Sequence, residues 1–193
     1  RPAPATDEIN GKTVGIFGLG AIGKHVARMA KSFDMKVIAT KRNINPSDHQ
    51  MDNVDELLPT KEFDDLISQS DYLVLSCPLS DETRGIMNEG KLKKMKPDSY
   101  LINVSRGEVV DEKALVKALK EEWIAGAGLD VFTNEPLEQE SELWVQPNLI
   151  ATSHRAGRST SQQSRATELF EKNLDLLING EPLINVVDPD RQY

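Results

Sequence analysis

The sequence predicts an α/β protein built on a doubly wound parallel sheet, and three observations lead to that fold class. Short apolar runs alternate along the chain with segments in which apolar residues recur at helical spacing. The first apolar run leads directly into three glycines with the spacing G-x-G-x-x-G. Polar side chains suited to catalysis follow several later runs, at the strand ends where ligands bind in such sheets.

The first strand and the glycine turn predict a nucleotide site. The apolar run at residues 13–17 is typical of a strand that is covered on both faces. After it, Gly18 would permit a tight turn, Gly20 would let the backbone approach a pyrophosphate, and Gly23 would let the next helix pack closely on the strand. The N-terminus of that helix would supply an anion site. A bare glycine motif is weak evidence, but a strand before it and an amphipathic helix after it confirm the assignment.

The segment after the glycines predicts a helix with one apolar face. Its apolar residues recur at helical spacing, and we expect them to point inward: Ile22, Val26, Ala30 and Phe33. A second strand follows at residues 35–39. The polar segment 41–52, which Pro46 interrupts, predicts a loop.

The later elements follow the same alternation. Apolar runs predict strands at residues 54–58, 72–76, 100–104, 124–131 and 148–152. Helical spacing predicts helices at residues 62–69, 89–95, 112–122 and 160–178, with Asp111 as an N-cap and Gly180 as a stop. The residues expected to point inward from these helices include Phe63, Leu66, Ile67, Leu115, Ala118, Leu119, Phe170, Leu174 and Leu177.

The composition excludes several classes of function. The chain carries 23 Lys plus Arg against 31 Asp plus Glu, a formal net charge of −8, without a basic block, so nucleic acid is not an expected partner. The single cysteine, Cys77, rules out an internal disulfide. Because no apolar run reaches about eighteen residues and the first residues contain no apolar signal core, we expect a cytoplasmic protein with no membrane partner.

Three side chains that follow predicted strands form the candidate catalytic set. Arg106 follows the fifth strand, Glu135 the sixth and His154 the seventh. An arginine binds a carboxylate bidentately and polarises a neighbouring carbonyl, and a histidine transfers protons near neutral pH. A carboxylate bonded to the histidine ring fixes its tautomer and favours its protonated form. The set therefore suits reversible hydride transfer at a carbon next to a carboxylate.

Each of these residues also has a structural interpretation when it is taken singly. Arg106 would be a salt-bridge partner, Glu135 an N-cap or a solvated loop carboxylate, and His154 a polar loop residue. Their joint position at strand ends, beside a glycine motif, favours the active-site interpretation.

Ordered motifs over nearly the whole chain resemble the family of D-isomer-specific 2-hydroxyacid dehydrogenases. They are GLGAIG at 18–23, CPLSDETRGIMN at 77–88, NVSRGEVVDEKAL at 103–115, AGAGLDVFTNEPL at 125–137, SHRAG at 153–157 and NGEPLINVV at 179–187. The resemblance implies a Rossmann-like cofactor domain. It also implies an enzyme that transfers hydride between a nicotinamide cofactor and a small 2-keto or 2-hydroxy acid, such as glyoxylate or hydroxypyruvate.

The resemblance also implies roles for individual residues. Arg106 would bind and activate the substrate, His154 would be the acid/base with Glu135 as its partner, and Asp130 would lie by the nicotinamide amide. Cys77 is interpreted as a packed thiol rather than a nucleophile, and no metal is expected. The residues expected at the cofactor are Gly18, Leu19, Gly20, Ala21, Ile22, Gly23, Lys41, Arg42, Cys77, Pro78, Thr83, Val104, Ser105, Asp130, His154 and Gly157.

One departure from the family pattern concerns the cofactor. Relatives that use NAD place an acidic residue about twenty residues past the glycines, where it bonds the ribose 2′-hydroxyl. Here Lys41 and Arg42 occupy that region. The two cations would attract a phosphate, so the sequence predicts a preference for NADP(H), with NAD(H) as the alternative. Two solvated loop cations are the structural interpretation.

A second departure concerns length and domains. We expect a linker at residues 1–10, a dinucleotide-binding domain at 11–180 and a tail at 181–193 that returns towards a separate substrate domain. Family members begin with most of that substrate domain, so we expect the chain by itself to bind cofactor and turn over little or nothing. We also expect the final helix to expose an apolar side that meets the other domain or a second subunit, which predicts a homodimer.

Two alternatives remain open at the level of sequence. One is a nucleotide-sensing, corepressor-like interaction protein, because the family includes corepressors that keep the fold and bind the cofactor. The other is a dehydrogenase of the phosphoglycerate or phosphite type. Turnover with a panel of 2-keto acids separates an enzyme from a sensor, which would bind cofactor with little reduction.

Overall fold

The computed structural model describes residues 8–45 and 53–188. It divides into two compact units, Arg1–Ser153 and His154–Tyr193. Most of the expected linker, the second half of the expected 41–52 loop and the end of the expected tail lie outside the described residues.

The first unit is built on a sheet of seven parallel strands in the order β3-β2-β1-β4-β5-β6-β7. The strands alternate with helices along the chain, which confirms the doubly wound α/β fold. Because β2 and β3 lie on one side of β1 and β4 lies on the other, the topological switch point falls between β1 and β4. The strands are β1 Thr13–Phe17, β2 Lys36–Lys41, β3 Glu56–Pro59, β4 Tyr72–Leu75, β5 Tyr100–Asn103, β6 Gly126–Leu129 and β7 Leu149–Ala151.

The helices appear in the predicted order. They are α1 Ala21–Lys31, α2 Phe63–Gln69, α3 Glu89–Leu92, α4 Glu112–Lys120 and α5 Gln162–Ile178, with 3₁₀ turns at Thr60–Glu62, Gly107–Val109 and Glu142–Val145. Asp111 caps α4, because its carboxylate accepts from the Ala114 N–H, as predicted. None of the helices in the described residues is both long and apolar enough to cross a membrane.

Two apolar clusters cover the two faces of the sheet. Leu73, Leu75 and Leu101 belong to one cluster, which also takes in the predicted inward residues of α2 and α4. Val14 and Ile16 belong to the other cluster, which packs beneath α1. Burial on both faces explains why the strands read as continuous apolar runs rather than as alternating ones.

The predicted inward face of α1 is wrong at both ends. Ile22 is 53% exposed and Phe33 is 54% exposed, while the buried residues of the helix are Gly23, Ala27 and Ala30. Small residues face the sheet because Gly23 touches the preceding turn and holds α1 close to the strands. Phe33 also lies beyond the end of α1 at Lys31.

The final helix, α5, belongs to the second unit, and its predicted inward residues are exposed. Phe170, Leu174 and Leu177 are 68%, 45% and 63% exposed. The helical spacing of apolar residues located the apolar face of α5 correctly. The prediction that these residues point inward is wrong, and the expectation that α5 exposes an apolar side is confirmed. Within this unit the tail is fastened to α5, since the Asn173 side chain donates to the Ile184 carbonyl and accepts from its N–H at 3.0 and 2.9 Å.

Candidate cofactor and active site

The glycine turn joins β1 to α1 at the switch point. Gly18 has a φ of +101°, and a Cβ there would lie 2.8 Å from the backbone of Cys77. A Cβ on Gly23 would lie 2.5 Å from the Gly18 carbonyl oxygen. Both observations match the predicted roles, a tight turn and a close helix. A Cβ on Gly20 would meet no atom within 4 Å, so the space beside it is open and fits the predicted approach of a pyrophosphate.

The N-terminus of α1 has the chemistry of an anion site. Gly20 caps the helix without a side chain, and the first turn contains no acidic residue. Ala21 and Ile22 are exposed beside it. Leu19 acts differently from its neighbours, because its side chain is 3% exposed and its N–H donates to the Thr40 carbonyl at 2.9 Å. Leu19 therefore anchors the turn through its backbone and its packing.

The end of β2 places two cations beside the turn. Lys41 is the last residue of β2 and Arg42 follows it, and residues 36–40 of β2 pair with the whole of β1. Thr40, which is buried, also accepts from the Gly18 N–H at 3.4 Å. Arg42 Nη2 lies 2.6 Å from Glu82 Oε2, in the segment after β4.

The segment after β4 borders the turn from the other side. Cys77 is 7% exposed, and burial raises the pKa of its thiol to about 11, which supports the packed-thiol interpretation. Thr83 fixes the loop, since its hydroxyl donates to the Pro78 carbonyl at 2.7 Å and accepts from the Ser80 N–H at 2.8 Å. Ser76, which sequence reasoning missed, donates from Oγ to the Gly18 carbonyl at 2.9 Å.

Arg106 is presented by a turn that a buried asparagine organises. Asn103, 1% exposed at the end of β5, donates from Nδ2 to the Arg106 carbonyl at 2.9 Å. Its Oδ1 accepts from the N–H and the hydroxyl of Ser105 at 3.0 and 2.8 Å. Val104 is half-buried in this turn, whereas the Arg106 side chain is exposed and donates to the Ser105 carbonyl at 2.7 Å. Sequence reasoning missed Asn103.

The segments that carry Arg106 and Glu135 are in direct contact. A Cβ on Gly107 would lie 1.9 Å from the carbonyl carbon of Phe132, so only glycine lets the two backbones approach this closely. Glu135 Oε1 accepts from the Phe132 N–H at 3.0 Å, which holds this carboxylate at the end of the β6 loop. The structure therefore brings into contact the segments that carry two of the three predicted catalytic residues, at the carboxyl ends of β5 and β6.

Asp130 is the buried acid of the site. It is 6% exposed, directly follows β6, and accepts at Oδ1 from the Thr152 hydroxyl at 2.6 Å. Its N–H donates to the Asn103 carbonyl at 3.0 Å, which ties the two strand ends together. The role beside the nicotinamide amide, which the family resemblance implies for Asp130, stays a prediction.

His154 opens the second unit, three residues after the end of β7. It is exposed and has a φ of 53°, and Gly157, with no atom within 4 Å of a built Cβ, lies in the same segment. The predicted contact between His154 and Glu135, and the predicted approach of both residues to the cofactor, stay predictions.

The site residues that sequence reasoning missed have short polar side chains that bond the backbone, and local sequence motifs indicate such residues. Asn103 begins an N-x-S sequence after a strand, which ends at the predicted residue Ser105, and asparagine in this position commonly bonds the backbone two residues on. Thr40 and Ser76 are the polar residues at the ends of otherwise apolar strands.

Among the described residues, no group of three or more His, Cys, Asp or Glu is arranged to hold a metal ion.

Known proteins match both the sequence and the fold. Residues 1–156 match the family model described as D-isomer specific 2-hydroxyacid dehydrogenase, NAD binding domain. A glyoxylate reductase from Pyrococcus horikoshii is 44% identical over 174 residues, which is 90% of this chain and 51% of that protein. The chain thus spans about half the length of the curated relatives it matches.

Among the solved structures of similar proteins, some contain NADP and others contain NAD+. An NADPH-dependent glyoxylate/hydroxypyruvate reductase from Sinorhizobium meliloti, in complex with NADP and sulfate, matches 98% of this chain and 59% of that chain, with 31% identity and a TM-score of 0.88. A D-lactate dehydrogenase with NAD+ from Lactobacillus jensenii matches 97% of this chain and 58% of that chain, with 29% identity and a TM-score of 0.82. With the glycine turn and the strand-end residues in place, the chain belongs to the D-isomer specific 2-hydroxyacid dehydrogenases, as their NAD binding domain.

Proposed function

We propose that this chain is the cofactor domain of an NADP(H)-preferring reductase that converts a small 2-keto acid, such as glyoxylate or hydroxypyruvate, to its 2-hydroxy acid. The observation that carries the cofactor preference is the pair Lys41 and Arg42 at the end of β2, beside the glycine turn. A 2′-phosphate would be stabilised by these cations, whereas NAD-specific sites have a carboxylate there. Relatives named glyoxylate reductase support the choice of substrate.

The residues of the chain would divide the chemistry between them. A nicotinamide cofactor supplies the hydride when it is bound. Arg106 binds the substrate carboxylate and polarises the carbonyl, because its guanidinium is exposed at the end of β5. His154 would give a proton to the carbonyl oxygen as the hydroxyl forms, and Glu135 would orient its imidazole.

The preorganisation of the Arg106 turn supports this division. Asn103 and the Gly107 contact hold the backbone on both sides of Arg106, so the guanidinium projects from a rigid base. Asp130 is held by Thr152, two residues before His154 in the chain, and would contact the nicotinamide amide. The chain itself would bind cofactor and turn over little, because it covers about half of each relative. It would also associate as a homodimer through the exposed apolar side chains of α5.

The test is steady-state reduction of glyoxylate and hydroxypyruvate by NADPH in the natural full-length protein, with a His154→Ala variant beside the wild type. We expect His154→Ala to lower kcat by about 10²- to 10⁴-fold, the usual contribution of a general acid. A His25→Ala variant, which removes an exposed histidine on α1, is the matched control and should retain the wild-type rate. Turnover of His154→Ala close to that of the wild type would contradict the assignment. Cofactor binding without reduction of any 2-keto acid would favour a sensor instead.

A further inference from the structure

The Arg42–Glu82 ion pair connects two loops across the carboxyl end of β1. Arg42 follows β2, Glu82 lies in the segment that follows β4, and β1 lies between these strands in the sheet. The Nη2–Oε2 distance is 2.6 Å. The ion pair therefore crosses the carboxyl end of β1, where the glycine turn begins.

Hydrogen bonds fix the backbone beside each partner of the ion pair. On the β2 side, Thr40 is fully buried and accepts from the N–H groups of Gly18 and Leu19. On the β4 side, the residue after Glu82 is Thr83, which is 7% exposed and whose hydroxyl is bonded to Pro78 and Ser80. The two loops thus hold the carboxylate of Glu82 next to Arg42.

This contact places a negative charge where the proposed function requires a positive one. The guanidinium has five N–H donors in a rigid fork, so it can bond a carboxylate and a phosphate together. A second anion at the same guanidinium nevertheless meets the charge already present, and like charges a few ångströms apart repel. An unphosphorylated 2′-hydroxyl does not experience this repulsion. A carboxylate here therefore works selectively against the phosphorylated ligand.

We propose that Glu82 is a specificity-determining residue that weakens the binding of 2′-phosphorylated adenosine by competing for Arg42. The inference rests on the proposed function, because it takes Arg42 as part of the 2′-phosphate site. It adds that the cofactor preference of this chain is set by three side chains, with Lys41 and Arg42 at the end of β2 attracting the phosphate and Glu82 in the segment after β4 opposing it.

The exposure of the pair limits its effect. The side chains of Arg42 and Glu82 are 39% and 76% exposed. Exposed ion pairs are weak, and we expect a change of about two- to fivefold in the dissociation constant when the competing charge is removed. The effect should fade with added salt, because the Debye length is about 10 Å at 0.1 M ionic strength.

The test is calorimetric titration of the chain with adenosine 2′,5′-bisphosphate and with 5′-AMP, which carry the adenosine half of each cofactor and need no hydride transfer. Four proteins are compared: wild type, Glu82→Gln, Arg42→Met and the double variant. Asp81→Asn is the matched control, since it removes the same charge from the adjacent exposed position.

We expect Glu82→Gln to tighten the bisphosphate about two- to fivefold and to change 5′-AMP binding much less. The gain should vanish in the Arg42→Met background, and Asp81→Asn should give a smaller gain. The inference is overturned if Glu82→Gln leaves the bisphosphate unchanged or weakens it, if Asp81→Asn has an equal effect, or if the gain persists without Arg42.

The same data separate this inference from the proposed cofactor preference. If Arg42→Met leaves the wild-type affinity for the bisphosphate unchanged, Arg42 is not part of a phosphate site, the inference about Glu82 fails, and the proposed preference loses one of its two cations. If Arg42→Met weakens the bisphosphate but Glu82→Gln has no effect, the proposed preference stands and the inference about Glu82 fails.

Discussion

Gly20, just before α1, and Gly23, in the first turn of α1, are required for different reasons. A Cβ on Gly23 would lie 2.5 Å from a backbone oxygen of the protein, whereas a Cβ on Gly20 would meet no atom of the chain within 4 Å. Gly20 also has a φ of −89°, which other residues adopt readily. The fold therefore explains Gly23, and the proposed pyrophosphate explains Gly20.

Alanine substitutions distinguish these two reasons. Gly23→Ala should lower the free energy of unfolding by about 1–3 kcal/mol, because the turn must move to admit the methyl group. Gly20→Ala should change it by no more than about 0.5 kcal/mol, while weakening NADPH by at least about tenfold through a clash with the phosphates. Urea denaturation and NADPH fluorescence titration measure the two quantities. Unaltered NADPH affinity in Gly20→Ala would argue against a pyrophosphate at this turn.

At the scale of residues, sequence reasoning identified the charged side chains of the candidate site and missed the polar residue that fixes one of their turns. Arg106 and Glu135 were predicted from their positions after strands, and the structure places their loops in contact through Gly107. Asn103 was not predicted, because its value lies in bonds to the backbone of its own turn. Such bonds depend on local geometry, which an apolar pattern does not report.

At the scale of elements, one aspartate joins the starts of three neighbouring strands through its carboxylate and its backbone carbonyl. Asp71, just before β4, accepts from the Thr13 N–H at the start of β1 at 2.7 Å and pairs with Lys96 at 2.6 Å. Its carbonyl accepts from the N–H of Tyr100, the first residue of β5. Burial raises the pKa of the Asp71 carboxyl, but the bonds from Lys96 and Thr13 outweigh it, so the pKa lies below its usual value.

This lowered pKa predicts a dependence of stability on pH. An unfolded aspartate has a pKa of about 3.9, so the stabilising contribution of Asp71 is complete above that pH and is lost as the pH falls through the lower folded pKa. Asp71→Asn should cost about 1–3 kcal/mol of unfolding free energy at pH 7 and progressively less under acid conditions. Urea denaturation at several pH values measures the difference. Exposed Asp98→Asn is the control, and an equal cost of Asp71→Asn at every pH would refute the linkage.

The pattern of apolar residues located elements better than it located their faces. All seven strands occur where apolar runs predicted them, with ends that differ by a few residues. The predicted range of β6 is longer than the strand because Ile124 and Val131 are buried without joining its ladder. The face of α1 was predicted from its largest apolar residues, yet the close approach at Gly23 selects Ala27 and Ala30 instead. A helix that packs tightly on a sheet uses small residues, and hydrophobicity scales give these little weight.

At the scale of the whole molecule, the alternation of strands and helices was enough to predict the doubly wound sheet and its crevice. The surface of α5 was not predictable in the same way, because an apolar stripe does not identify its partner. Phe170, Leu177 and Ile178 are each more than half exposed. A contiguous apolar patch marks an interaction surface, and these side chains recur on one helix, so they motivate the proposal of a partner on α5.

The proposed homodimer is tested on that surface. We expect the chain to sediment as a dimer at micromolar concentration, and a Phe170→Ser, Leu177→Ser variant to raise the dimer dissociation constant by at least about tenfold, because buried apolar anchors dominate interfaces. Sedimentation velocity over a concentration series measures both. A wild-type chain that stays monomeric, or a variant that dimerises equally well, would contradict a second copy on α5.

The most direct test of the account is a titration of the chain with NADPH and with NADH, followed by nicotinamide fluorescence, in the wild type and in a Lys41→Ala, Arg42→Ala variant. The account predicts that the wild type binds NADPH more tightly than NADH, and that the double variant loses this difference while still binding NADH. Tighter binding of NADH by the wild type would contradict the cofactor preference. Binding of neither nucleotide would contradict the dinucleotide site itself.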